Sequence, residues 1–206
     1  MAKLNILDPD KTYTFSNYFD LNYEPDEILA EFGFALNRTD LILPRVELSL
    51  EPLIDLKNSI QRRLPLVSLT SETARREVLI APIVLTLLDY TQAQLRIEYA
   101  INVSQKLKGS FDYYLNTQEN LLIIEAKNAD LTRGFTQLAV ELIALDQWTN
   151  SETDLLYGVV STGTIWQFGC LHRQQKQIDQ DLNLYRVPAD LPELFQSLVA
   201  ILTVKR

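Results

Sequence analysis

The sequence predicts an α/β fold: a mixed sheet of about five strands flanked by helices, with a mainly helical N-terminal extension. Three observations predict it. Residues 94–103 alternate, with Leu95, Ile97, Tyr99, Ile101 and Val103 on one face. Residues 109–127 read as a hairpin whose second strand, Leu121 to Lys127, is strongly apolar until its end. Residues 132–148 then carry Phe135, Leu138, Leu142 and Leu145 at helical spacing. The helix that precedes these strands and the strands that follow complete the layers.

The elements follow in order. The first 65 residues are acidic and hold an aromatic group, Tyr13, Phe15, Tyr18, Phe19 and Tyr23, between turn signals at Asp8-Pro9-Asp10 and Glu24-Pro25-Asp26. Residues 27–36 and 48–62 suit helices. Aromatic rings can stack bases, but the acidic surroundings favour a patch packed on the core or a dimer contact. No Gly/Ser- or Pro-rich linker follows, so residues 1–65 read as an extension packed on a core of residues 66–206 within a single domain. Ser71 is a good N-cap for a helix reaching about residue 88, and Pro82 should kink or break it. After the helix at 132–148, residues 155–161 form a buried strand. If it lies parallel to the second hairpin strand, a right-handed crossover joins them. Thr162-Gly163 turns into a strand at 164–171, and Pro192 opens a closing amphipathic helix.

The chemistry lies in the hairpin. Residues 116–120 are rich in turn formers, and closure around Gln118 and Glu119 sets Asp112 opposite Glu125. Opposed residues share a face with Cβ atoms about 5 Å apart, and Lys127 returns to that face two residues on. Charges on buried strands are costly unless paired. Two close carboxylates need a cation, which is Lys127 itself or a divalent metal; oxygen ligands suit Mg²⁺ or Mn²⁺ better than zinc. On the following helix Gln137 and Glu141 are four apart. Spacing leaves Gln137 open between reaching the strand and facing solvent, and it favours a solvated face for Glu141. On the helix before the hairpin, Glu77 sits among Val78, Leu79, Ile80 and Ala81 and is the preferred site acid. Glu72, in the polar first turn, is the alternative and suits dipole compensation.

The order Gly109-x-x-Asp112-Tyr113, Ile124-Glu125-Ala126-Lys127 and Gly134-x-x-Gln137 resembles the PD-(D/E)XK nuclease superfamily. It is similar in particular to the restriction-endonuclease-like domain at the N-terminus of type I restriction enzyme R subunits. The likeness covers residues 71–171, with Phe111 where that pattern often has proline. It implies a restriction-endonuclease-like fold and a metal-dependent phosphodiesterase. Asp112 and Glu125 would ligate the metal with the Ala126 carbonyl, and Lys127 would orient water or offset transition-state charge. The superfamily also contains catalytically silent members.

Composition bounds the partners. The chain carries a formal charge of −8, with −6 in residues 1–60 and −2 in the remainder. Arg75, Arg76, Lys106, Lys108 and Arg133, with Arg62 and Arg63, form a candidate local basic rim. The expectation is weak, salt-sensitive binding of nucleic acid, DNA before RNA, with a homodimer or partner protein as possible help. Cys170 alone excludes an internal disulfide and suits the cytoplasm. His172 reads as a surface residue, and one His with one Cys makes no zinc site. No glycine loop cradles phosphate, so no nucleotide cofactor is expected, and no apolar run spans a membrane. The sequence thus predicts a Mg²⁺- or Mn²⁺-dependent nuclease in which loss of Asp112 or Lys127 chemistry costs little folding stability. The alternative is a silent scaffold or protein-interaction module.

Overall fold

The computed structural model describes residues 6–49, 51–117 and 120–204. Three short elements open the chain: α1 (Phe15–Asp20), α2 (Pro25–Ala30) and β1 (Ala35–Thr39). The helix expected over 27–36 ends at Ala30 because Gly33, at φ 78, turns the chain into β1. α3 (Glu51–Arg63) follows, then α4 (Glu72–Arg75), a π-helical turn (Arg76–Ile80) and α5 (Ala81–Thr91). Ser71 caps α4, its hydroxyl accepting the Ala74 N–H at 3.1 Å. Pro82 lies in the first turn of α5, so the break predicted there takes the form of the π turn immediately before it.

Three strands then run antiparallel: β2 (Gln94–Asn102), β3 (Lys108–Asn116) and β4 (Leu121–Ala126). The turn residues Gln118 and Glu119 fall outside the described residues. The long α6 (Leu131–Trp148) crosses to β5 (Leu155–Ser161), which pairs with β4 in parallel. β6 (Ile165–His172), β7 (Gln177–Asp181), the short β8 (Tyr185–Arg186) and α7 (Leu191–Thr203) complete the chain. The sheet has eight strands in the order β1-β7-β6-β5-β4-β3-β2, with β8 paired to β6.

Eight strands replace the five expected. The three additions are β1, β7 and β8, and their sequences explain the difference. β7 reads Gln-Ile-Asp-Gln-Asp, yet four of its residues are buried. Asp179 is satisfied sideways: it accepts from Gln177 Nε2 at 2.6 Å and Asn37 Nδ2 at 3.0 Å, and lies 2.9 Å from His172 Nε2. His172 is therefore partly buried and paired, not a plain surface residue.

Each sheet face carries a core. α3, α5 and α7 cover one, with Trp166, Phe168 and Phe195 inside it; Cys170 is buried on this side. α6 covers the other, and α1 and α2 lie over α6 in turn. Residues 134–145 of α6 are consequently buried on every side, where a single apolar stripe was expected. The aromatic residues Tyr13, Phe15 and Tyr18 are buried there, and Phe15 stacks on Phe111 with centroids 5.6 Å apart. Among the described residues no helix is long and apolar enough to cross a membrane.

Candidate active site

The hairpin register is the one that brings the charges together. Tyr113 pairs with Ile124 and Tyr114 with Ile123, so the next step outward sets Asp112 opposite Glu125. At that step the ladder gives way to a side-chain contact: Asp112 Oδ2 accepts the Ala126 N–H at 2.8 Å. Strand alternation turns Glu125 toward α6, and the carboxylate is buried.

Glu125 Oε1 receives two short hydrogen bonds, each 2.6 Å, from Lys127 Nζ and from Gln137 Nε2. Gln137 also donates to Glu141 Oε1 at 2.9 Å. Gln137 therefore reaches the strand, resolving the choice its spacing left open. Glu141 is fully buried beside it, which corrects the expectation of a solvated face. The physical reason is the all-round burial of α6. The neighbouring run Val140, Leu142, Ile143 and Ala144 was the signal that this helix has no wet side at that level.

Burial, then the nearby charge of Asp112, pushes the Glu125 carboxyl up to about 8 against the pull of Lys127. Burial, then the charge of Glu125, raises Glu141 well above the usual carboxyl value. Burial opposes the Lys127 ammonium, yet charge and hydrogen bonding from Glu125 carry its pKa above the lysine norm. The second oxygens of Glu125 and Glu141 and the Gln137 carbonyl oxygen are buried without a hydrogen-bond partner. An orphaned carboxylate oxygen at this depth is a ready acceptor for a proton or a cation.

Lys127 is held from three sides. Its stem lies over Gly134, where an added Cβ would sit 2.8 Å from Lys127 Cγ. The Phe19 ring stands 5.3 Å from Nζ, so α1 contributes a lid to the ammonium. The Lys127 N–H donates to Ser161 O at 2.8 Å, continuing the β4–β5 pairing past Ala126.

Of the two candidate helix acids, Glu72 is the one whose carboxyl feels the charges of Lys127 and Asp112. Glu77 is exposed, whereas Glu72 is partly buried, with its pKa raised by burial and influenced by Lys127, Asp112 and Arg76. Glu72 and Arg76 are four apart and share a helix face; Glu77 lies off that face, and the π turn over Arg76–Ile80 takes it out of the apolar row it would otherwise share with Ile80 and Val84. Arg76 Nη1 lies 3.5 Å from Asp112 Oδ1 and 3.2 Å from Glu98 Oε1, with the guanidinium 5.5 Å from the Tyr113 ring centroid. Glu98 sits opposite Asp112 on β2 and takes φ 51 inside a strand, a conformation unusual for a residue other than glycine. Sequence reasoning missed Glu98 and Phe19; counting back across the β2–β3 hairpin from Asp112 would have found Glu98.

The basic residues divide. Arg75 ties α4 to the ends of β4 and β5 through Asn128 Oδ1 (3.1 Å) and Thr162 O (2.9 Å). Arg76 is committed to Asp112 and Glu98. Arg133 donates to Asn22 Oδ1 at 3.0 Å and lies 3.6 Å from Asp130. Lys108 opens β3 four residues before Asp112, about 13 Å along the strand, and Lys106 lies in the turn before it. The expected rim is thus spread over two edges, and its nearest arginines already have protein partners.

Among the described residues no three His, Cys, Asp or Glu side chains are grouped to hold a metal ion. The carboxylates on either side of the β4 end are Glu125, which accepts from Lys127 and Gln137, and Asp112, which accepts the Ala126 N–H, with the Ala126 carbonyl in the chain between Glu125 and Lys127. Such a donor set suits a hard cation, and the unpartnered Glu125 oxygen fits that chemistry. No protein-family model matches this chain, and no curated protein or solved structure matches it significantly.

Proposed function

We propose that this chain is a metal-dependent nuclease of the PD-(D/E)XK type, hydrolysing phosphodiester bonds in DNA before RNA. The observation that carries the reading is the buried Glu125 carboxylate, held at 2.6 Å by both Lys127 and Gln137 at the end of a sheet strand. Glu125, Asp112 and the Ala126 carbonyl would hold Mg²⁺ or Mn²⁺, which when bound lowers the pKa of a coordinated water and polarises phosphate. Lys127 supplies a fixed positive charge toward the phosphate as negative charge develops. Gln137 fixes the Glu125 rotamer, and Gly134 lets the Lys127 stem lie flat on α6.

The test is cleavage of labelled single-stranded, double-stranded and branched DNA and of RNA with Mg²⁺ or Mn²⁺. Removing one preorganised charge typically costs about a hundredfold or more in rate. Wild type should therefore exceed Asp112→Asn and Lys127→Met by at least that factor. Equal rates across the three proteins would sink the assignment.

One feature favours the alternative, a catalytically silent scaffold. Both acids already have cationic partners within the chain, Lys127 for Glu125 and Arg76 for Asp112. A silent site of this kind needs no metal. Thermal unfolding with millimolar Mn²⁺ separates the readings: a metal site is stabilised by its ligand, and Asp112→Ala abolishes that shift. No shift in wild type favours the scaffold.

A further inference from the structure

A cavity of about 400 Å³ opens between the segment after α1 and the first turns of α6. It is lined by Tyr18, Leu21, Asn22, Tyr23, Thr132 and Arg133, among others. Tyr18 and Leu21 flank Phe19, the ring that stands over the Lys127 ammonium. Arg133 adjoins Gly134, on which the Lys127 stem rests. The cavity and the ammonium are thus reached from the same short stretches of α1 and α6.

The chemistry of the lining is specific. Tyr23 is 47% exposed and presents a ring, unlike its buried neighbours Tyr13 and Tyr18. Asn22, also in the lining, accepts a hydrogen bond from Arg133 Nη2 on its Oδ1 at 3.0 Å, so its amide N–H₂ is not used in that contact. Glu24 and Asp130 also line the cavity, so it is not a basic trough for a phosphate chain. A flat group with a π face and hydrogen-bonding edges fits this set, and the volume admits one such group and no helix or strand.

We propose that this cavity takes an unpaired nucleobase adjacent to the reacting phosphate, stacked on Tyr23 and read by Asn22. The inference rests on the nuclease reading and adds a substrate class to it: single strands, or duplex ends and junctions with unpaired bases. A base inside a duplex is already stacked and cannot enter the cavity without being flipped out.

The test uses the full chain without metal and a labelled oligothymidylate, with binding followed by fluorescence anisotropy. Stacking contacts of this kind change affinity by about tenfold on alanine substitution. Tyr23→Ala should weaken binding about tenfold, Tyr23→Phe should retain it, and neither should move the thermal midpoint. An oligomer of equal length with abasic sites should bind wild type and Tyr23→Ala equally weakly. Unchanged affinity in Tyr23→Ala, equal binding of the abasic oligomer to wild type, equal binding of a blunt duplex, or no binding at all each overturns the proposal. Cleavage of the same oligomer with Mn²⁺ separates the two readings. Cleavage with unchanged Tyr23→Ala affinity removes the base subsite and keeps the nuclease. Tyr23-dependent binding without cleavage supports the subsite and removes the nuclease.

Discussion

Lys127 Nζ and Glu125 Oε1 lie 2.6 Å apart inside the protein, two residues from each other at the end of one strand. The pair is structural before it is chemical. Removing one partner of a buried ion pair costs about 3 kcal/mol, because the other charge stays unpaired. Lys127→Ala should therefore destabilise the fold, contrary to the small cost expected from sequence. Glu125 has a way out, since a carboxyl already pushed up to about 8 takes a proton readily. Urea unfolding of Lys127→Ala should show a loss of roughly 2–3 kcal/mol at alkaline pH and a smaller loss under mild acid. Lys127→Met keeps the stem over Gly134 and should lose less. An alanine variant as stable as wild type at alkaline pH would refute the buried pair.

Glu125 gives the protein an unusual stability profile. Its folded pKa is raised from 4.5 to about 8, so between those values the folded chain binds a proton that the unfolded chain has released. Stability then falls as pH rises through this window, by an amount on the order of a few kcal/mol. This is the reverse of a salt-bridged surface acid, whose contribution is lost on acidification. Glu141 is raised for the same reason and steepens the slope. Glu125→Gln removes one titration and should flatten the profile between about pH 5 and pH 8. Denaturant midpoints across that range check the sign, and a wild-type curve that climbs toward pH 8 contradicts it.

Arg76 competes with any cation for Asp112. Its guanidinium is the nearest positive partner of that carboxylate, at 3.5 Å, and also holds Glu98 at 3.2 Å. Burial opposes the Arg76 charge, while Tyr113 and Asp112 hold it firmly on. Arg76→Met leaves Asp112 and Glu98 facing each other without a counter-charge. The variant should be less stable by about 1 kcal/mol, and its Mn²⁺-induced thermal shift should exceed that of wild type. If the metal shift shrinks instead, Arg76 supports the metal site and does not compete with it.

The site was legible where covalent connectivity fixes geometry. Hairpin register follows from strand parity, so Asp112 opposite Glu125, with Lys127 following, came directly from the sequence. Gln137 and Glu141 were also visible as an i, i+4 pair, but whether that face was wet depended on α1 and α2 lying over α6. Helix spacing says nothing about a second layer of helices. Glu77 is exposed and not among the apolar residues its spacing suggested, because one π turn shifts every later residue around the axis, and no local residue preference announces such a turn. β7 escaped notice for a related reason: Asp179 and Gln180 are buried by pairing with side chains far along the sequence, Asn37 for Asp179 and Arg38 and Gln167 for Gln180, so the strand carries no hydrophobic alternation.

Gly134 offers the sharpest test that Lys127 works by position. An added Cβ would meet Lys127 Cγ at 2.8 Å and Val160 Cγ2 at 2.9 Å. Alanine is the better helix former by about 1 kcal/mol. Overpacking a filled core costs about 1–3 kcal/mol, so the net change should be a modest destabilisation. Val160 is buried on β5 and has little room to move. The flexible lysine stem gives way first, and the ammonium shifts from Glu125. A displacement near 1 Å at a reacting group costs about a hundredfold in rate. Gly134→Ala should therefore lose far more cleavage than stability. Adding Val160→Ala opens space on the other side of the new methyl. That double variant should recover cleavage while remaining less stable than wild type, because the β5 core has lost buried methyl groups. Full activity in the single variant would show that Lys127 does not depend on the Gly134 surface for its placement.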